Sequence, residues 1–124
     1  MKTGRTERIA EEIRKSVTDI IQFEMSDPRV EGVIVTGVKV TADLSLVRVY
    51  FNIPNQPEQK KEALKALKHA AGHIRHTVAE TVTLKYMPQF EFFYDESAEL
   101  QQKIDQLFDQ ISSDKKTPPS SLEE

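Results

Sequence analysis

Three histidines, His69, His73 and His76, recur at helical spacing in a stretch that also carries Lys61, Lys65 and Lys68. Histidines four apart on one helical face can hold zinc, but such sites ordinarily add a carboxylate or thiolate. The chain has no cysteine, and the nearest acid on that face is Glu80, one turn past His76. The pattern therefore points to a solvated or phosphate-facing surface, with no metal and no cofactor. Imidazoles there can stack on bases or bond phosphates, and protonation near about pH 6.5 would add charge. A second cluster, Asp95-Glu96-Ser97, is accounted for by helix capping. With no phosphate-binding Walker loop, nucleophile elbow or HExxH, the chain does not read as an enzyme.

The element that must position these residues is a helical stretch from Glu58 to Val82, interrupted at Ala70-Ala71-Gly72. Leu64, Leu67, Ala71, Ile74 and Val78 fall three or four apart and make one core-facing seam. At 100° per residue, Lys61, Lys65, Lys68, His69, His73 and His76 collect on the opposite side, and Gly72 lies at the edge of that strip. An interior glycine costs a helix about 1 kcal/mol relative to alanine, and it permits a kink or a close approach by another backbone. The lysines alone could be the wet side of an amphipathic helix. Their alignment with Gly72, where a phosphate could approach the backbone, and the amides of a restarting helix favour an anion. Arg75 lies nearer the seam, so part of its role is to pack its stem.

The length of 124 residues suits one domain with a tail, and 38% hydrophobic with 30% charged residues describes a soluble protein with a modest core. No apolar run approaches the roughly 18 residues of a membrane span, and the basic N-terminus lacks a signal peptide's apolar stretch. Without cysteine there are no disulfides, and a cytoplasmic protein is expected. The net charge of −3 is unevenly spread. Lys60 to Lys85 holds six Lys or Arg against two acids, +4, while Tyr86 to the end holds three against nine, −6. Local potential governs a binding surface, so nucleic acid stays possible, with the acidic C-terminal helix facing away or competing.

Elsewhere the spacing predicts a first helix over Thr6–Met25, with Ile9, Ile13, Val17, Ile20 and Ile21 as its stripe, ended by Ser26-Asp27-Pro28. Arg29 follows in a loop, where a solvated charge is the simplest reading. A strand over Val33–Thr41 puts Ile34, Thr36, Val38 and Val40 on one face, and Gly37 suggests a bulge or a close contact. A second strand, Leu46–Ile53, alternates Val47, Val49, Phe51 and Ile53 with polar residues and completes a hairpin. A third strand follows Pro88, with Phe90, Phe92 and Phe93 expected in the core. The last helix carries the stripe Leu100, Ile104, Leu107, Phe108 and Ile111, also expected in the core. Residues 1–111 are thus expected to form one domain, and 112–124 a disordered tail.

The order is α-β-β-α(kinked)-β-α, an α+β arrangement with a three-stranded sheet and helices on one face. It resembles a type II KH domain, although the GXXG loop by which KH domains clamp backbone is replaced by Ala70-Ala71-Gly72. The chain from Arg5 to about Ile111 is similar to the ribosome-binding factor A family. The resemblance rests on Arg5-x-x-Arg8, Asp27-Pro28-Arg29, Val38-x-Val40 with Asp43-Leu44-Ser45, Ala70-x-Gly72 before Ile74-Arg75, Pro88 with Phe92, and Asp95-x-Ser97. It departs at His73, where many relatives carry an aromatic residue, and at Lys85, where arginine is common.

That resemblance implies a KH-like fold bent at Ala-x-Gly, binding the immature 30S subunit through 16S ribosomal RNA and assisting late maturation and rRNA processing without catalysis. Lys65, Lys68, Arg75 and Lys85, with Arg5 and Arg8, are expected to meet RNA backbone. Arg29, Lys61, His69, Gly72, His73 and His76 complete the RNA-facing set, and Ala70, Ala71 and Gly72 set the kink. A monomer off the ribosome is expected. The competing reading is a protein-binding adaptor using the acidic last helix or an edge strand; a histidine-metal hydrolase would need stoichiometric metal.

Overall fold

The computed structural model describes residues 4–114. Helix α1 (Arg5–Asp19) buries Ile9, Ala10, Ile13 and Val17 and passes into a π turn over Ile20–Glu24. Here the structure departs from the expected α-helix through Met25, for a packing reason. Ile20 and Ile21 are buried, and an α-helical continuation would stack Glu24 above them on the core side. The wider turn, closed by Met25 N–H donating to the Ile20 carbonyl at 3.0 Å, leaves Glu24 exposed. Asp27 is extended, as a residue before proline must be, and its carboxylate accepts from the Arg29 amide at 2.9 Å.

Strands β1 (Ile34–Val40) and β2 (Leu46–Asn52) pair antiparallel, and β3 (Gln89–Tyr94) joins β2 in parallel, in the sheet order β1-β2-β3. The register of β1 shifts between Val35 and Gly37, so the expected bulge is present. It also corrects the expected face: Val35 is buried, Ile34 and Thr36 are exposed, and only beyond the bulge do Val38 and Val40 turn partly inward. The β2 alternation holds, with Val47, Val49, Phe51 and Ile53 all buried. Phe90 and Phe92 join them, but Phe93 lies on the sheet's other face, stacked on Tyr50 at 5.5 Å between ring centroids.

Helices α2 (Lys60–His69) and α3 (Ala71–Ala79) connect β2 to β3 and cover the core face beside α1. Ala63, Ala66, Leu67, Ile74 and Val78 are buried, while Leu64 and Ala71 of the expected seam are half-buried at its margin. Helix α4 (Ser97–Asp114) is capped as expected, Asp95 accepting from the Ser97 amide at 2.9 Å. Its stripe is not in the core: Leu100, Ile104, Leu107, Phe108 and Ile111 are all exposed. Among the described residues, polar contacts hold the start of α4. Buried Asn52 donates to the Asp95 carbonyl at 2.8 Å and to Glu99 at 3.1 Å, and Thr36 donates to Asp95 at 2.6 Å. The helix includes 112–114, where a tail was expected to begin, and 115–124 lie outside the described residues.

Candidate nucleic-acid interface

Ala70 is the break between α2 and α3, with φ −89° and ψ 0°. Its amide still donates to Ala66 at 3.0 Å and its carbonyl accepts from Ile74 at 2.8 Å. The chain therefore bends without abandoning backbone hydrogen bonds on either side, and both helices keep their small or branched apolar residues against the sheet. The outer side carries Lys61, Lys65, Lys68, His69, Gly72, His73 and His76, all exposed as the helical period requires. Among the described residues, Lys61 and Lys68 have no ion-pair partner, and Lys65 has only Glu62 at 3.8 Å. Such an exposed pair is worth little and leaves the lysine available.

Gly72 has no conformational duty in this fold. Its φ is not positive, and a Cβ built there meets nothing within 4 Å. The missing side chain therefore leaves backbone open to whatever approaches from outside. Along one flank, Lys68 and Ala71 face the free edge of β3 across a shallow groove of about 360 Å³, lined also by Phe90, Glu91, Phe92 and Phe93. Along the other flank lies the end of α1, where Glu24 Oε1 is 4.0 Å from His73 Nε2. Arg29 clasps Asp27 there through Nε at 3.0 Å and Nη2 at 2.7 Å, bringing that carboxyl down to about 2. The Arg29 hydrogen bonds are the main cause of that shift, with a smaller contribution from His69.

The expected basic residues do not all gather at the kink. The Ser16–Thr81 hydroxyl contact at 3.3 Å and the Glu24–His73 contact make α1 antiparallel to α3. At 1.5 Å rise per residue, Arg8 lies about 24 Å along α1 from Glu24, and Arg5 farther still. Lys85 follows α3 beyond Thr81, also away from the kink, with its ammonium 5.7 Å from the Tyr86 ring centroid. Arg75 is turned inward. It donates from Nε to the Pro88 carbonyl at 2.9 Å and from Nη2 to the Met87 carbonyl at 2.7 Å. It pins the link into β3, in keeping with the packing role expected of its stem. Arg29 is likewise engaged with Asp27. No three His, Asp or Glu among the described residues form a metal-holding group; His73 and His76 each approach one acid, Glu24 and Glu80. The β3 groove and the approach of Glu24 to His73 are not visible in the sequence, because both depend on which elements become neighbours.

The Ribosome-binding factor A family model matches residues 5–108, nearly all of the folded part. The chain belongs to the ribosome-binding factor A family. The Acetivibrio thermocellus ribosome-binding factor A is 41% identical over 113 residues, 90% of this chain and 92% of that one. The Desulfatibacillum aliphaticivorans protein is 38% identical over 108 residues, 87% and 88% of the two chains. In structure, the crystallographic ribosome-binding factor A of Thermus thermophilus matches with a TM-score of 0.66 at 24% identity, covering 74% of this chain and 97% of that one. A Thermus thermophilus ribosome-binding factor A homology model fitted into a cryo-EM map of its 30S complex matches with a TM-score of 0.60 at 25% identity, covering 71% and 92%. As in the rest of the ribosome-binding factor A family, the fold is KH-like, and here its Ala-x-Gly break carries the exposed cations.

Proposed function

We propose that this protein is a non-catalytic assembly factor that binds the immature 30S subunit through 16S rRNA. It assists late small-subunit maturation and rRNA processing in the cytoplasm, and is a monomer when off the particle. The observation that carries this reading is Gly72, in the first turn of α3: a glycine with no internal reason, open to solvent, on the same outer side as Lys61, Lys65 and Lys68. Phosphates can run along that crest with backbone drawn close at the glycine. Arg5, Arg8 and Lys85 form more distant contacts on the same RNA, while Arg29 and Arg75 shape the face from beneath. The 30S complex described for the Thermus thermophilus relative supports the choice of particle. Residues 1–111 act as the binding domain.

The test is sedimentation of lysate through a sucrose gradient, followed by binding to purified small subunits at several salt concentrations. The protein should travel with free 30S particles rather than with 50S or 70S. Affinity should fall steeply with salt, and Lys65→Glu with Lys68→Glu should weaken it while lowering the salt slope by about 1 for each phosphate no longer neutralised. Unchanged affinity in that double variant, with folding intact, would remove this surface from the account. One observation favours a second reading, the adaptor: the uncovered apolar stripe of α4. Cosedimentation indifferent to salt and to ribonuclease would support it instead.

A further inference from the structure

Among the described residues, Phe23 is the most exposed large apolar side chain, at 78%. Full burial of such a ring would bring about 1.5–3 kcal/mol, yet the π turn that sends Ile20 and Ile21 inward leaves Phe23 in water. Its place is specific. The next residue, Glu24, reaches to 4.0 Å from His73 and lines the groove between α1 and α3 with Asp19, Thr77 and Thr81. Phe23 therefore belongs to the turn that brings the end of α1 up to the start of α3, the helix that carries Gly72 and His73. Single π turns recur at functional sites, and this one leaves an aromatic ring exposed one residue before the acid that meets His73.

We propose that Phe23 is a base-stacking platform: an unpaired nucleobase of the bound RNA lies on its ring while the adjoining phosphates pass over Lys65, Lys68 and Gly72. The proposal rests on the RNA reading above and narrows it, because a duplex keeps its bases stacked on one another and cannot offer one. Phenylalanine has no polar handle, so it accepts any base through the ring face. Glu24 repels phosphate from the α1 side and so favours a path over the lysines, with His73 between the two.

Phe23→Trp places the molecule's only tryptophan at this position, and stacking on a base quenches indole emission. The full-length variant is titrated with a single-stranded RNA oligonucleotide, the blunt duplex of the same sequence, and purified 30S subunits. Phe108→Trp on exposed α4 is the control, and thermal melts confirm folding. Quenching by the single strand and the subunits, but not the duplex, is expected for Phe23→Trp alone. Phe23→Ala should bind the single strand about 5- to 150-fold more weakly with its salt slope unchanged, since no counterion is released by a neutral ring. Wild-type affinity in Phe23→Ala, or an equal loss on duplex, overturns the proposal. Quenching by subunits without any by naked RNA also overturns it, in favour of a ribosomal protein contact. If Lys65→Glu and Lys68→Glu weaken binding while Phe23→Ala does not, only the platform fails; if neither does, the RNA reading fails with it.

Discussion

The α2–α3 pair and α4 carry apolar stripes of the same helical period, and the fold treats them in opposite ways. Leu67, Ile74 and Val78 lie fully inside against the sheet, whereas Leu107 is 58% and Phe108 63% exposed. The broken pair is held along both halves by packing, so its outer surface is a fixed array of charge. Among the described residues, helix α4 is fastened at its start, by a polar knot of Asn52, Tyr94, Asp95 and Glu99, with Lys60 bonded to Glu96 at 3.1 Å and lying over the Tyr94 ring. One region presents an electrostatic surface on a rigid base. The other presents an apolar surface on a polar anchor. A period in the sequence identifies a face, and says nothing about whether the chain itself supplies a cover for it.

The largest effect expected from this contrast is on stability. Leu67→Ala should cost about 2–5 kcal/mol, as filled-core truncations do, whereas Leu107→Ala should stay within about 0.5 kcal/mol. Urea unfolding of the two variants checks it, and comparable losses would mean that α4 is covered in solution. Next is the anchor: Asn52→Leu removes the donor shared by Asp95 and Glu99 and should cost about 1–3 kcal/mol. Hydrogen exchange should show that loss concentrated in α4, with α2 and α3 protected as before.

The two regions should also differ in their response to pH. Beside the kink, Asp27 is held at about 2 by Arg29, below the ordinary carboxylate value. Its folded value is the lower one, so its contribution is present above about pH 4 and drains away as pH falls toward 2. At the α4 anchor, Glu99 is lowered by the hydrogen bond from Tyr94, while burial and that same bond push Tyr94 up to about 12. The anchor therefore loosens in acid as Glu99 protonates, and again in alkali between about pH 10 and 12 as Tyr94 ionises. Spectrophotometric titration should find a phenol ionising at about 12 that Tyr94→Phe removes. Asp27→Asn should flatten the acid limb and leave the alkaline limb in place.

Much of this arrangement was legible in the residues themselves. The β2 alternation, the break at Ala70, the bulge near Gly37 and the Asp95 cap depend on local spacing and turn chemistry, which a sequence displays directly. What escaped depends on neighbours distant in the chain. Glu24 follows the buried pair Ile20 and Ile21 by one turn, and only the resulting conflict produces the π turn that leaves Phe23 outside. Arg75 reads as another surface cation until the α3–β3 link brings two carbonyls to its fork. Arg5 and Arg8 have the charge expected of the kink surface, but the antiparallel course of α1 carries them away from it.

A small expected gain in stability is the most informative change, because it and binding should move in opposite directions. In Gly72→Ala, the lost freedom of the unfolded chain should raise stability by about 0.4–1 kcal/mol, since φ there is not positive and the new methyl meets nothing within 4 Å inside the protein. The same methyl stands where RNA backbone is held to approach, so affinity for free 30S subunits should fall. Thermal melts and subunit binding on one preparation decide the matter. A more stable protein that binds less tightly is the result this account predicts; a more stable protein that binds as well as before would contradict it.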